Sequence, residues 1–246
     1  MHTSISDLSN FYSSPLGSRT FELLQRKLTG LWSDFSEETL LGIGFPFPFM
    51  EAFTPFFRRS FVFTLEKQGA TYWPYSGPNA TALVDPESLP LPDCSVNRIL
   101  VAHAMEIVED PAEFLSELWR ILDPGGRIII ITPNRRGLWA RLDTTPFGSG
   151  QPFSHKQLKD LLNTVNFSVE KWIDALYMPP LENKYLLRSA PVWEKIGGGF
   201  LIPFAGLHIV EASKQLYRPV LVNQPVKNRR TIFLPSIRPV TRVKPE

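Results

Sequence analysis

Apolar positions along the chain change their period several times, and each change marks an element. Over residues 16–32, Leu16, Phe21, Leu23, Leu24, Leu28, Leu31 and Trp32 recur at helical spacing. Arg19, Gln25, Arg26 and Lys27 fall largely on the other side, which predicts an amphipathic helix. Residues 1–15 are small and polar apart from Phe11 and Tyr12, and are read as loose until they dock. Residues 39–44 predict a first strand running into a turn. The Phe45-Pro-Phe-Pro-Phe-Met50 stretch follows, then a helix through Arg59, a second strand over 60–65, a loop over 69–78 and a short third strand over 79–84.

Two further strand-like runs, 97–102 and 127–132, flank a helical run over 112–122, the spacing of a βαβ crossover. Within it Phe114, Leu115, Leu118, Ile121 and Leu122 form the apolar stripe, Pro111 opens the helix and Pro124-Gly125-Gly126 closes it. Residues 135–150 are charged and glycine-punctuated, and read as an active-site loop. Ser154 then caps a predicted helix over 155–164. A strand over 167–176, a helix over 183–196, a break at Gly197-Gly198-Gly199 and a final strand over 206–212 complete the pattern. Strands alternating with helices predict an α/β fold, doubly wound around a mostly parallel sheet. The expected organisation is an N-terminal cap segment over 1–34, an α/β domain over 35–215 and a basic, proline-rich tail over 216–246.

Composition narrows the function classes. Forty-three per cent apolar residues, with 18 Phe and 6 Trp, suffice for a buried core. No run of eighteen apolar residues occurs, so no membrane span is expected. The start lacks the basic and apolar regions of a signal peptide, and the single cysteine, Cys94, excludes an intrachain disulfide; both point to a cytoplasmic location. Seven Lys/Arg against one acid give residues 216–246 a charge of +6, which leaves −4 on residues 1–215 from the total of +2. A mildly acidic domain is not a nucleic-acid footprint, and the tail is a candidate protein-partner arm or a strap on its own domain. His155 and His208 lack metal-ligand spacing, so no metal is expected.

The series Asp85-x3-Leu89-Pro-Leu-Pro-Asp93-x-Ser95, Met105-Glu-Ile-Val-Glu-Asp-Pro111 and Glu117-Leu-Trp-Arg-Ile-Leu-Asp-Pro-Gly-Gly-Arg127 resembles the second half of class I S-adenosylmethionine-dependent methyltransferases, in their type 11-like branch. The resemblance implies a Rossmann-like, seven-stranded-type sheet, S-adenosylmethionine as cofactor and methyl transfer to a small-molecule or other soluble acceptor. The alternative is a methyltransferase-fold protein whose cofactor cradle has drifted and which acts as a binding or regulatory partner. In the resembled family a helix preceding the first strand often covers the cofactor pocket, which suits the predicted helix over 16–32.

The same resemblance assigns candidate positions. The family's first strand ends in an acid and a Gly-x-Gly-x-Gly turn whose glycines let backbone approach the cofactor. Here Gly42 stands at the acid and Gly44 at the first glycine, while Pro46 and Pro48 replace the other two. Proline fixes its own dihedral and donates no hydrogen bond, so the turn must take another path, with Phe45 either lining the pocket or filling it. Glu66, at the end of the second strand, is the candidate for the two ribose hydroxyls, or else part of a solvated loop. Asp85 matches the adenine-side acid, or else forms an Asx turn before Pro86; Leu89 would offer the base an apolar face. Ala102 and His103 fall at the cofactor's methionyl end, and His103 is a candidate general base or a hydrogen-bonding spectator. Arg135, Arg136 and Arg141 are candidates for a carboxylate or phosphate on a substrate.

Overall fold

The computed structural model describes residues 4–32, 37–142, 144–199 and 204–216; the basic tail expectation lies outside the described residues. Seven strands form one sheet: β1 (Thr39–Gly44), β2 (Arg59–Leu65), β3 (Thr81–Val84), β4 (Val96–Ala102), β5 (Leu122–Pro133), β6 (Phe167–Ala175) and β7 (Leu207–Lys214). Their order is β3-β2-β1-β4-β5-β7-β6. The first five pair in parallel and β7 runs antiparallel between β5 and β6. The strand order therefore reverses between β1 and β4, the switch point at which open α/β sheets bind ligands.

Near-continuous apolar strands are explained by burial on both faces. Leu40, Val62, Leu100, Ile129, Ile131 and Ile209 face one core. It is covered by α1 (Ile5–Ser13), α2 (Pro15–Leu28) and α3 (Phe47–Phe53). Leu41, Ile43, Phe63, Ile99, Val101, Ile128 and Val210 face the other core, under α4 (Pro111–Ile121) and α5 (His155–Thr164). The α4 start follows from local chemistry: the Asp110 carboxylate accepts from the Ala112 and Glu113 amides, and Pro111 occupies the first helical position. On its last turn Arg120 donates to the Leu91 and Leu89 carbonyls at 2.8 and 3.0 Å, and Glu117 accepts from the Leu89 amide at 3.0 Å. This one helix thus pins the loop that follows β3.

Four differences from the sequence reading have physical causes. Residues 5–13 are not loose but helical, because Ser4 and Asp7 form a reciprocal capping box and Leu8 is fully buried. The helix after β1 starts within the Phe-Pro stretch, at Phe47, and ends at Phe53 rather than reaching Arg59, since Pro48 suits its first turn, Thr54–Phe56 tightens into a 3-10 turn and Arg59 already pairs with Thr39. Strand β5 starts at Leu122, through the Pro-Gly-Gly turn, because Leu122 pairs with Val96 ahead of a register shift. The glycines at 197–199 do not break the chain; α6 (Lys184–Gly199) continues through them. Among the described residues no helix is long and apolar enough to cross a membrane.

Gly44 closes β1 in a conformation only glycine holds without strain. Its φ is +86°, and a Cβ would lie 2.4 Å from the Ala102 carbonyl oxygen. Gly125 is also left-handed, at +76°, but has nothing within 4 Å of such an atom. Gly125→Ala should therefore cost only the left-handed penalty of about 1–2 kcal/mol. Gly44→Ala adds the overlap with β4, so its melting temperature should fall well below that of Gly125→Ala. Equal shifts in a thermal melt would contradict the close approach of β1 to β4.

Candidate functional site

A cleft of about 240 Å³ opens at the carboxyl ends of β2 and β3. Glu66 and Lys67, just past β2, form one wall, and Asp85 and Glu87, just past β3, form another. Ile107 and Val108, from the turn after β4, supply an apolar floor. Lys67 and Glu109 pair across this region at 2.5 Å. Asp85 also accepts from the Glu87 amide at 2.9 Å, so the Asx turn and the cleft-lining position belong to one side chain. Leu89 is buried beneath, held by the Glu117 and Arg120 bonds described above. Two carboxylates beside an apolar surface can accept hydrogen bonds from a ribose and from the amine of a purine packed on that surface.

The switch point itself is closed. Gly44 pairs with Ala102, and the Phe45 amide extends the ladder by donating to the Ala102 carbonyl at 2.7 Å. The altered loop accordingly turns straight into α3, with Pro46 at its N-cap and no capping side chain. Gly42 lies inside the core, where a Cβ would meet the Pro46 ring at 2.5 Å, and does not reach the cleft.

Above this junction α1 contributes an aromatic plug. Tyr12 stacks on Phe45 at 5.8 Å with an interplanar angle of 13°, and its hydroxyl bonds His103 Nε2 at 2.8 Å. His103 is itself buried, holds a left-handed backbone at φ +53° and packs its ring 4.8 Å from that of Phe147. Its Nδ1 lies 3.4 Å from the buried Glu106 carboxylate, and its carbonyl accepts from the Gln68 amide side chain at 2.6 Å. Gln68 in turn accepts through its backbone carbonyl from the Ile5 amide at 3.0 Å, which ties the start of α1 to the loop after β2. Both His103 nitrogens therefore face protein groups. Surrounding protein, and then the Glu106 charge, push the Tyr12 phenol well above its ordinary value, although part of the residue's surface stays accessible.

The predicted residues thus separate into groups. Glu66 and Asp85 meet in one cleft, with Leu89 beneath them. Gly44, Phe45, Ala102 and His103 meet at the closed junction. The three arginines do not converge. Arg135 lines an open groove along α5, Arg136 lines a cleft at the start of α5, and Arg141 sits on a 3-10 turn and lines neither. Sequence reasoning missed Tyr12 and Phe147 as parts of the site. For Tyr12 a signal existed: the Ser4-x-x-Asp7 capping pattern ahead of Leu8, Phe11 and Tyr12 at helical spacing. Among the described residues, no three His, Cys, Asp or Glu side chains are grouped to hold a metal ion.

Comparison with known proteins places this architecture. Residues 64–130 match the model of the Methyltransferase domain family. An S-adenosylmethionine-dependent methyltransferase of Thermotoga maritima has a superposable structure, with a TM-score of 0.60 at 15% identity over 86% of this chain and 96% of that one. The fold is that of a class I methyltransferase. The matched stretch runs from the end of β2 into β5. A protein of Mycolicibacterium smegmatis described as a probable S-adenosylmethionine-dependent methyltransferase is 39% identical over 84 residues, 33% of this chain and 32% of that protein. A ubiquinone/menaquinone biosynthesis C-methyltransferase of Geobacter sulfurreducens is 35% identical over 66 residues, 26% of each chain. The aligned part of the chain thus spans about a third and a quarter of these curated relatives.

Residue by residue, S-adenosylmethionine fits this site at one end only. The acids at Glu66 and Asp85 suit its nucleoside. At the methionyl end the Phe45–Ala102 bond and the Tyr12 ring occupy the junction, and 240 Å³ falls below the roughly 300–1,000 Å³ of pockets that enclose a whole small ligand.

The buried phenol makes a pH prediction. Tyr12 keeps its proton in the folded state above its ordinary pKa of 10.0, whereas the unfolded chain releases it. The folded state then binds more protons, so this contribution is fully present below that value and declines as pH rises toward the folded pKa. The stability advantage of the native chain over Tyr12→Phe should accordingly shrink as pH rises from about 9 to about 11, read from urea midpoints. An advantage that stays constant across that range would contradict a phenol held protonated by its surroundings.

Proposed function

We propose that this chain is an S-adenosylmethionine-dependent methyltransferase that binds the cofactor's ribose and adenine against Glu66 and Asp85 and acts on a small-molecule or other soluble acceptor. The observation that carries the reading is the convergence of these two carboxylates, from separate strand ends, on one cleft with an apolar floor. In this reading Gly44, Phe45, Ala102 and His103 flank the methionyl end, and α1 is the cover that lies over them in the present conformation. Withdrawal of Tyr12 would free His103 Nε2, the chain's candidate for taking a proton from the acceptor. Arg135, Arg136 and Arg141 remain candidates for an acid group of the acceptor, now at three different places. The free thiol of Cys94 is in keeping with a reducing, cytoplasmic setting. The basic tail, over 216–246, offers an arm for a protein partner.

A second reading has its own observation. The Phe45–Ala102 hydrogen bond and the stacked Tyr12 favour a methyltransferase-fold protein that has lost the methionyl half of its cradle and serves as a binding or regulatory partner.

Calorimetry with S-adenosylmethionine and with its demethylated product separates the two. The enzyme reading predicts micromolar binding, weakened at least about tenfold by Asp85→Ala, a loss of ~1.4 kcal/mol. It also predicts tighter binding to Tyr12→Ala, since the cover no longer competes. No binding by either the native chain or Tyr12→Ala would overturn it in favour of the partner reading. Unchanged affinity in Asp85→Ala would remove the adenine assignment.

A further inference from the structure

Where β5 and β6 end and β7 begins at the same edge of the sheet, a second cleft of about 310 Å³ shares no lining residue with the one beside Glu66 and Asp85. Asp174, the penultimate residue of β6, pairs across the sheet with His208, the second residue of β7. His208 Nδ1 lies 2.7 Å from Asp174 Oδ1, and the Trp172 indole N–H lies 3.2 Å from the same oxygen. The Trp172 N–H also lies 3.3 Å from Nδ1, but the Asp174 carboxylate can only accept, so in the neutral ring the proton belongs on Nδ1 and Nε2 is the bare acceptor. His208 is only 3% exposed, and among the described residues nothing reaches Nε2. A buried imidazole nitrogen without a partner costs free energy that a ligand in the cleft would recover.

The rest of the cleft is built for negative charge. Arg136, from the loop after β5, and Lys156, in the first turn of α5, both line it and are exposed. α5 is ten residues long and presents its N-terminus there. Ser154 caps the Gln157 amide, which leaves the first-turn amides of His155 and Lys156 without intrahelical acceptors. His155 stacks on Trp172 at 3.9 Å; burial, then the neighbouring His208 and Lys159, hold its pKa below the usual value, so it adds a wall rather than a charge. Burial by itself would raise the Asp174 carboxyl, but hydrogen bonds from His208 and Trp172 keep it below the usual carboxylate range. Asp174 thus remains an anion against His208 Nδ1.

We propose that this cleft binds a phosphate group, held by Arg136, Lys156 and the first turn of α5, with His208 Nε2 contacting one phosphate oxygen. Phosphate rather than carboxylate follows from the number of donors: two cations and two amides suit three terminal oxygens better than two. Phosphate also suits His208 in both of its states, since a P–O–H can donate to neutral Nε2 and a P–O⁻ can accept from the imidazolium. The group would belong to a phosphorylated small molecule at the carboxyl edge of the sheet, and the site stands whether or not the chain transfers methyl groups.

The test titrates the full chain with inorganic phosphate, following heat and the NMR signals of the histidine rings. Saturable binding should appear, the His208 ring signals should move, and the pH midpoint of that ring should rise in phosphate. Arg136→Ala and Lys156→Ala alter exposed side chains that should not impair folding, and each should weaken binding several-fold. Acetate should bind distinctly more weakly. Absence of saturable phosphate binding, binding unaffected by both substitutions, or His208 signals that do not respond would each overturn the proposal. Acetate binding as tight as phosphate would overturn the assignment to phosphate.

Discussion

The close contact between the end of β1 and the end of β4 governs this structure. Gly44 can reach a left-handed conformation against the Ala102 carbonyl only because it lacks a side chain, and the Phe45 amide then completes one more rung of the ladder. Everything around the junction follows from that rung. The chain turns immediately into α3, so Phe45 stands over the strand ends, and its face is available to Tyr12. His103, directly after β4, is then enclosed by Tyr12, Phe147 and Glu106 rather than facing solvent. In an open α/β sheet the switch point is where a ligand ordinarily enters; here a main-chain hydrogen bond and an aromatic stack occupy it.

The closure divides the site into halves of unlike character. Beyond β2 and β3 stand two acids on separate loops, an apolar floor, and a loop fixed from below by Arg120 and Glu117. Across β1 and β4 the loop carries prolines and phenylalanines, which make a firm core and a small opening. This packing carries a stability consequence as well as a functional one. Tyr12, Phe45, Phe49 and Phe147 knit α1 to the sheet, so uncovering the junction means separating packed rings rather than moving a solvated loop.

What the sequence made legible is what local pattern determines. The crossover from β4 through α4 to β5 carries its own punctuation, with Asp110 and Pro111 at one end and an apolar run at the other; β4 and α4 were readable almost to the residue, whereas β5 begins earlier, at Leu122. Ser154 and α5 were readable for the same reason. Glu66 and Asp85 were candidates through the resemblance, and each follows a strand directly, where direction is fixed by the sheet. The plug could not. Tyr12 and His103 are 91 residues apart, and nothing near either residue announces the other. The His208–Asp174 pair, 34 residues apart, depends likewise on the antiparallel register of β6 and β7. The glycines at 197–199 misled because intrinsic propensity is weak against a helix already anchored elsewhere.

A comparison of two ligands by backbone NMR addresses the divided site most directly. With adenosine, the account predicts that the amides of Glu66, Lys67, Asp85, Glu87 and Val108 shift while those of Tyr12, Phe45 and His103 stay in place. With S-adenosylmethionine, the second set should shift as well, because its methionyl end reaches the junction that Tyr12 covers. If adenosine moves Tyr12, Phe45 and His103 but leaves Glu66 and Asp85 unaffected, or if neither ligand moves Glu66 and Asp85, the account is wrong about which half of the site is open.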